Sequence, residues 1–186
     1  SKSGKPGDVL RAKYDAEIRF MDDQLGRLVK SLRKNGFWDG MIVVVGADHG
    51  QGLGDHDWWN HGVLFQEQIR VPLLIRVPGV GRGTRVPSLV RTIDIMPTLL
   101  DSLGVPYPDG LDGRSLLPTL KGGEEPEPRL FFSDQLNGYD TNATPMQRRR
   151  PRDDFLYGVT DKSWKVIWHP GHPEASELYH LESDPD

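Results

Sequence analysis

The 186 residues carry 23 Lys and Arg against 27 Asp and Glu, a net charge of −4. With both signs spread along the chain, that balance speaks against a nucleic-acid or membrane-surface protein driven by bulk charge, and no apolar run approaches the roughly 18 residues of a membrane span. The absence of Cys excludes disulfides, thiolate metal sites and Cys nucleophiles. The length fits one domain, or one large piece of a bigger one, and the polar start SKSGKPGDV shows no signal peptide.

Leu10, Tyr14, Ile18, Met21, Leu25, Leu28 and Leu32 recur at steps of four and three and predict one long helix, stopped by KNG at 34–36. MIVVVGA (41–47) is a continuous apolar run and reads as a buried, parallel strand. VLFQEQIR (63–70) suits a short helix, VPLLIRVPG (71–79) a second buried strand, and RTIDIMPTLLDSLG (91–104) a helix with Pro97 near its start. Helix, strand, helix, strand, helix in that order is an α/β sandwich pattern. Beyond residue 105 the chain turns rich in Pro and Gly. LFFSD (130–134), FLYGVTD (155–161), WKVIWHP (164–170) and ELYHL (177–181) then predict a small antiparallel sheet, with a hairpin turn at Asp161–Ser163. Two units are expected: an α/β part over 1–120 and a β subdomain over 121–186 that carries the run Arg148–Arg152 in an insert.

The stretch GADHGQGLGDHDWWNHG (46–62) crowds Asp48, His49, Asp55, His56, Asp57 and His61 into a Gly-rich loop with two Trp. Ligands of open α/β sheets sit beyond the carboxyl ends of strands, which is where the strand over 41–46 places Asp48. A carboxylate beside an imidazole, with no thiolate available, suits a divalent cation that accepts oxygen and nitrogen donors. The alternative is that Asp48 caps the next turn and His49 satisfies a buried carbonyl. Trp58 and Trp59 are candidates for a substrate rim, with buried packing as the competing role. The Arg148–Arg152 run reads as a solvated loop or an anion-steering patch. The sequon Asn142–Thr144 carries almost no weight, and His169, His172 and His180 read as surface or packing residues.

ADHGQGLGDHDWWNHGVLFQEQIRVPLLIRVPG resembles the metal-site segment of the sulfatase family, in the alkaline-phosphatase superfamily. YDAEIRFMDDQLGRLVKSL, LVRTIDIMPTLLDSLGVPYPDGLDGRSLLPTL and WKVIWHPGHPEASELYHLESDPD resemble its neighbouring segments. The resemblance implies a partial alkaline-phosphatase-like α/β sandwich followed by a small antiparallel C-terminal sheet. It implies Asp48 and His49 as ligands of a divalent cation, usually calcium, with magnesium, manganese or zinc as alternatives. His61 stands where many members have a sulfate-contacting Lys. As a cation it would neutralise charge on the sulfate, as a general acid it would protonate the leaving alcohol, and a metal-ligand role is the third option. His56 falls in a turn to which a structural role is assigned, and Gln51, where many members have Glu, reads as neutral.

The formylglycine motif of the family, Cys or Ser followed by x-Pro-x-Arg, is absent; the closest string, EPEPR (125–129), begins with Glu. The expected function is therefore part of a sulfatase acting on a small-molecule or glycan sulfate ester, supplying cation ligands and a sulfate-contacting His but no nucleophile. Phosphodiester or phosphonate-ester hydrolysis and a non-catalytic binding module are the alternatives. An N-terminal segment of the same protein is the expected partner, leaving the 186-residue chain inactive alone. The resemblance points to a periplasmic, secreted or lysosomal setting.

Overall fold

The computed structural model describes residues 6–81, 83, 85–123, 129–136 and 148–183, so the sequon at Asn142–Thr144 and most of EPEPR lie outside the described residues. The first helix, α1, runs Pro6–Lys34, with Asp8 in its first turn and Arg33 and Lys34 in its last, as the helix dipole favours. It ends where predicted. The Phe37 amide donates to the Leu32 carbonyl and the Gly36 amide to the Arg33 carbonyl, a Schellman closure that needs the left-handed φ of +75° at Gly36. The predicted apolar face of α1 stays open: Ile18, Met21 and Leu28 are each more than half exposed. Trp38, in the turn that follows, lies between the guanidinium groups of Arg33 and Arg76, 5.0 and 4.9 Å from its ring.

Strands β1 (Val43–Gly46) and β2 (Leu73–Arg76) pair antiparallel, Val43 opposite Arg76 and Gly46 opposite Leu73. This corrects the parallel, buried reading. A run of Val reports that both faces want apolar neighbours but is silent on the direction of the partner strand. The chain between them reverses through a loop and the short α2 (Gln66–Ile69), so β2 returns against β1, and neither strand is fully buried.

The helix predicted at 91–104 is a 3-10 turn, Thr92–Asp94, running into α3 (Ile95–Ser102) with Pro97 in the first turn, where its missing amide costs nothing. Asp94 is fully buried. It accepts hydrogen bonds from the Arg91 and Arg114 amides and from the Arg129 guanidinium at 2.6 Å, so one carboxylate ties the start of α3 to two later segments. Burial by itself would raise the Asp94 carboxyl; the Arg129 hydrogen bond and the two amides outweigh it and hold it below its ordinary value. A short α4 (Leu117–Leu120) follows.

The C-terminal sheet is antiparallel with order β3 (Phe131–Gln135), β4 (Leu156–Thr160), β5 (Trp164–Trp168), β6 (Glu177–His180). In the β4–β5 turn Asp161 Oδ1 accepts from the Ser163 and Trp164 amides, as the predicted tight hairpin requires. Burial alternates with period two: Leu156, Gly158 and Thr160 of β4 and Lys165 and Ile167 of β5 face inward. The core lies across the predicted boundary at 120. It joins Trp58, Val63, Leu64 and Phe65, from the chain after β1, to Leu156 and Ile167, with Ile69 and Tyr179 packed against it.

Removing the buried Asp94 carboxylate breaks its ion pair with the buried Arg129, so Asp94→Asn should lower the unfolding free energy at pH 7 by about 3–5 kcal/mol. Because the folded-state value lies below the ordinary 3.8, this contribution is present at neutral pH and lost as pH falls below that value. Denaturant unfolding of both proteins at pH 7 and pH 3 checks this: the gap between them should narrow at the lower pH.

Candidate functional site

Asp48 and His49 follow β1 at its carboxyl end, and both are exposed. Their geometry is set by the backbone behind them. The Gly50 amide donates to the Gln68 carbonyl of α2 at 2.7 Å, and a Cβ on Gly50 would fall 2.0 Å from the Glu67 carbonyl oxygen. Glycine is needed here for close approach rather than for a left-handed turn. The loop then folds back on itself, with Gly52 donating to Asn60 and Gly54 to Trp58.

His49 Nδ1 lies 2.7 Å from the Gly50 carbonyl. A carbonyl only accepts, so Nδ1 carries the hydrogen and Nε2 of the neutral ring keeps its lone pair. Nε2 sits 3.7 Å from Asp48 Oδ2, while Asp48 Oδ1 accepts the His49 amide at 2.9 Å. That amide, then Asp48's own and the His49 ring, hold the Asp48 carboxyl below its ordinary value. The backbone-satisfying role weighed for the pair is present, and it leaves one donor atom of each side chain uncommitted. One atom of each side chain satisfies the backbone, and the other, Oδ2 or Nε2, completes a juxtaposed oxygen and nitrogen donor pair in their ligating states. This donor set fits a divalent cation. Among the described residues no cluster of three or more His, Cys, Asp or Glu surrounds the pair.

His61 comes to the same place. Its ring stacks on that of His49, centroids 4.1 Å apart and 27° from parallel. Its Nδ1 donates to Gln51 Oε1 at 3.3 Å, and Gln51 Nε2 donates to the Trp59 carbonyl, which fixes the sense of the amide. Gln51, read as neutral from the sequence, thus orients His61, and no spacing rule would have found it. Burial pushes the His61 pKa below its ordinary 6.5, the neighbouring His49 adds to this, and Asp48 opposes it.

The two tryptophans part company. Trp58 is buried in the core and donates its indole N–H to the His61 carbonyl at 3.1 Å, so it packs and anchors rather than lining a rim. Trp59 remains over a third exposed, against Gly7 and Gly54 and 6.0 Å from the Arg11 guanidinium, joining the start of α1 to the loop. His56, left-handed at φ +52°, stacks on Phe65 at 3.6 Å. Of the arginine run, Arg148, Arg149 and Arg152 are exposed, but Arg150 turns inward, pairs with Asp153 and donates to the His56 carbonyl at 3.3 Å. His169 is a buried packing residue that donates from Nδ1 to the Arg152 carbonyl.

Comparison with known proteins decides the lineage of the chain. The family of the N-sulphoglucosamine sulphohydrolase C-terminal region matches residues 54–186, well over half of the chain. This chain belongs to the sulfatase family. It is 30% identical over 184 residues to arylsulfatase K of Bos taurus, covering 95% of this chain and 32% of the relative. It is 32% identical over 182 residues to the multifunctional alkaline phosphatase superfamily protein PehA of Trinickia caryophylli, covering 95% of the chain and 35% of that protein. In structure it resembles a phosphonate monoester hydrolase from Silicibacter pomeroyi, with a TM-score of 0.74 at 29% identity over 87% of this chain and 33% of that one. A structure solved in complex with its substrate D-glucosamine-2-N,6-O-disulfate superposes with a TM-score of 0.68 at 28% identity, over 88% of this chain and 32% of its own. The chain thus spans about a third of the length of these sulfatase-family relatives, and its fold is alkaline-phosphatase-like with a four-stranded C-terminal sheet.

In cation-free protein the His61 ring should titrate below 6.5. Asp48→Asn removes the one opposing charge and lowers the value further, whereas His49→Ala raises it. Histidine Cε1–H shifts followed by NMR against pH report all three, and a rise in the Asp48→Asn protein would contradict the arrangement.

Proposed function

We propose that this chain supplies the cation-binding and anion-contacting part of a hydrolase that cleaves a sulfate monoester to an alcohol and sulfate. The observation that carries the reading is the His49 tautomer: Nδ1–H is committed to the Gly50 carbonyl, and Nε2 faces Asp48 Oδ2. Asp48 and His49 would hold a divalent cation, calcium by the family resemblance, with magnesium, manganese or zinc as alternatives, of which zinc best suits an imidazole nitrogen. A bound cation would supply Lewis-acid polarisation of an ester oxygen. His61, with Nδ1–H held by Gln51, presents Nε2, which only in the doubly protonated ring would carry the proton that contacts the anion or passes to the leaving oxygen. Trp59 is the aromatic surface left for the alcohol portion, a small molecule or a glycan. No Cys or Ser precedes x-Pro-x-Arg in the chain, so the nucleophile is assigned to another segment of the same protein. No described helix is long and apolar enough to cross a membrane, and the reading includes the periplasmic, secreted or lysosomal setting of the resemblance.

Phosphonate or phosphate-ester hydrolysis is the second reading, favoured by the likeness to the Silicibacter pomeroyi phosphonate monoester hydrolase. An assay of the protein that carries this chain, on an aryl sulfate, an aryl phosphonate monoester and a phosphate diester, separates the two. His61→Ala should lower kcat by about 10²–10⁴-fold if His61 is the general acid, and raise only KM if it merely binds charge. Asp48→Ala should remove the dependence on added calcium.

The 186-residue chain by itself should show no turnover. Positioning of a nucleophile is worth about 7–11 kcal/mol, which a site without one has no means of supplying. Cation-dependent hydrolysis by the purified chain, abolished by His61→Ala, would overturn that part of the reading.

A further inference from the structure

Lys165 occupies an inward-facing position of β5 that the alternation reserves for an apolar side chain, and it is only 1% exposed. Its Nζ donates to Gln66 Oε1 of α2 at 3.3 Å. The next residue of α2, Glu67, is mostly buried. Its Oε1 lies 3.4 Å from His56 Nδ1, and its Oε2 has no hydrogen-bond partner among the described residues. From the other side of His56, Arg150 donates to the His56 carbonyl and sits 5.2 Å from the Phe65 ring on which His56 stacks. The backbone of this same α2 contacts Gly50 directly, and the Gln68 side chain accepts the Val63 amide at 3.0 Å. Charged groups from the C-terminal sheet and its insert thus grip α2 and the loop tip, and α2 in turn seats the residue after His49.

We propose that Lys165 and Arg150 are positioning residues for the Asp48, His49 and His61 site, acting through Glu67, His56 and the Gly50–Gln68 contact; this rests on the hydrolase reading above. A fully buried ammonium is an expensive way to fill a core position, and Leu or Met would pack there at lower cost. What the charge adds is direction: its hydrogen bond to Gln66 anchors α2 at the residue before Glu67, whose Oε2 has no hydrogen-bond partner among the described residues. Burial pushes the Lys165 ammonium down to about 8, against the opposing pull of Glu67 and Glu177. The groups facing Lys165 are Glu67 and Gln66 from α2 and Glu177 from β6, whose Oε2 accepts from the Tyr179 hydroxyl.

The test uses the whole protein and the variants Lys165→Met, Arg150→Met, Glu67→Gln and Lys165→Met/Glu67→Gln. Calcium affinity and kcat should each fall about 10–100-fold in Lys165→Met and in Arg150→Met, the range found when groups supporting a metal ligand are removed. Glu67→Gln alone should lower both as well, and adding it to Lys165→Met should cost less than the two single losses combined, because both changes act through the same element. Hydrogen exchange should quicken in peptides covering 48–64 and stay unchanged in those covering 156–160, in at least one single variant. Uniform quickening of both regions, or unchanged calcium affinity and kcat in variants still folded at the assay temperature, would overturn the proposal. If the wild-type protein neither binds calcium nor hydrolyses any ester, the hydrolase reading fails, and the exchange contrast alone decides whether these residues hold the loop.

Discussion

The close approach of Gly50 to α2 organises everything near the site. Gly50 donates to the Gln68 carbonyl at 2.7 Å in a space where any side chain would collide with the Glu67 carbonyl. With that contact made, the Gly50 carbonyl is available to fix the His49 tautomer, and His49 in turn stacks against His61. Gln68 also accepts the Val63 amide, which starts the buried run Val63, Leu64, Phe65 and so directs the core toward β4 and β5. One steric constraint therefore couples the polar face of the loop, where the donor atoms sit, to its apolar underside.

The loop separates two kinds of histidine by environment. His49 and His61 stay on the exposed side near Asp48, whereas His56 turns inward, stacked flat on Phe65 with Glu67 Oε1 3.4 Å from its Nδ1. Their separation comes from the left-handed turn at His56 and Asp57. Three imidazoles that look equivalent in the sequence are thus committed to different tasks by backbone geometry.

Much of this was legible. Helix α1, the β4–β5 hairpin and the alternation in the C-terminal strands follow from local spacing, and local spacing is what a sequence displays. The pairing of Asp48 with His49 was legible because the two are adjacent and follow a strand. The direction of β1 against β2 was not, since an apolar run is the same in either sense. Gln51, Lys165 and Arg150 were missed for a related reason: each matters through a partner 10 to 99 residues away, Gln51 with His61, Lys165 with Gln66 and Arg150 with His56. Trp58 was half legible. Burial was one of its two expected roles, and only the fold decides which of two adjacent Trp goes inside.

The ribbon of β1 and β2 has a consequence for handling the chain. Two strands make a sheet with two outer edges, and here those strands are Val43–Gly46 and Leu73–Arg76, with Leu74 62% exposed. An edge strand presents backbone amides and carbonyls that no neighbour pairs, a template for strand addition, the more so where few charges guard it. Only Arg76, turned back to the Met41 carbonyl, places a charge within either strand. Handled as this piece alone, the polypeptide should self-associate through those edges, and dilute conditions or a charged residue introduced at Leu74 would keep it monodisperse.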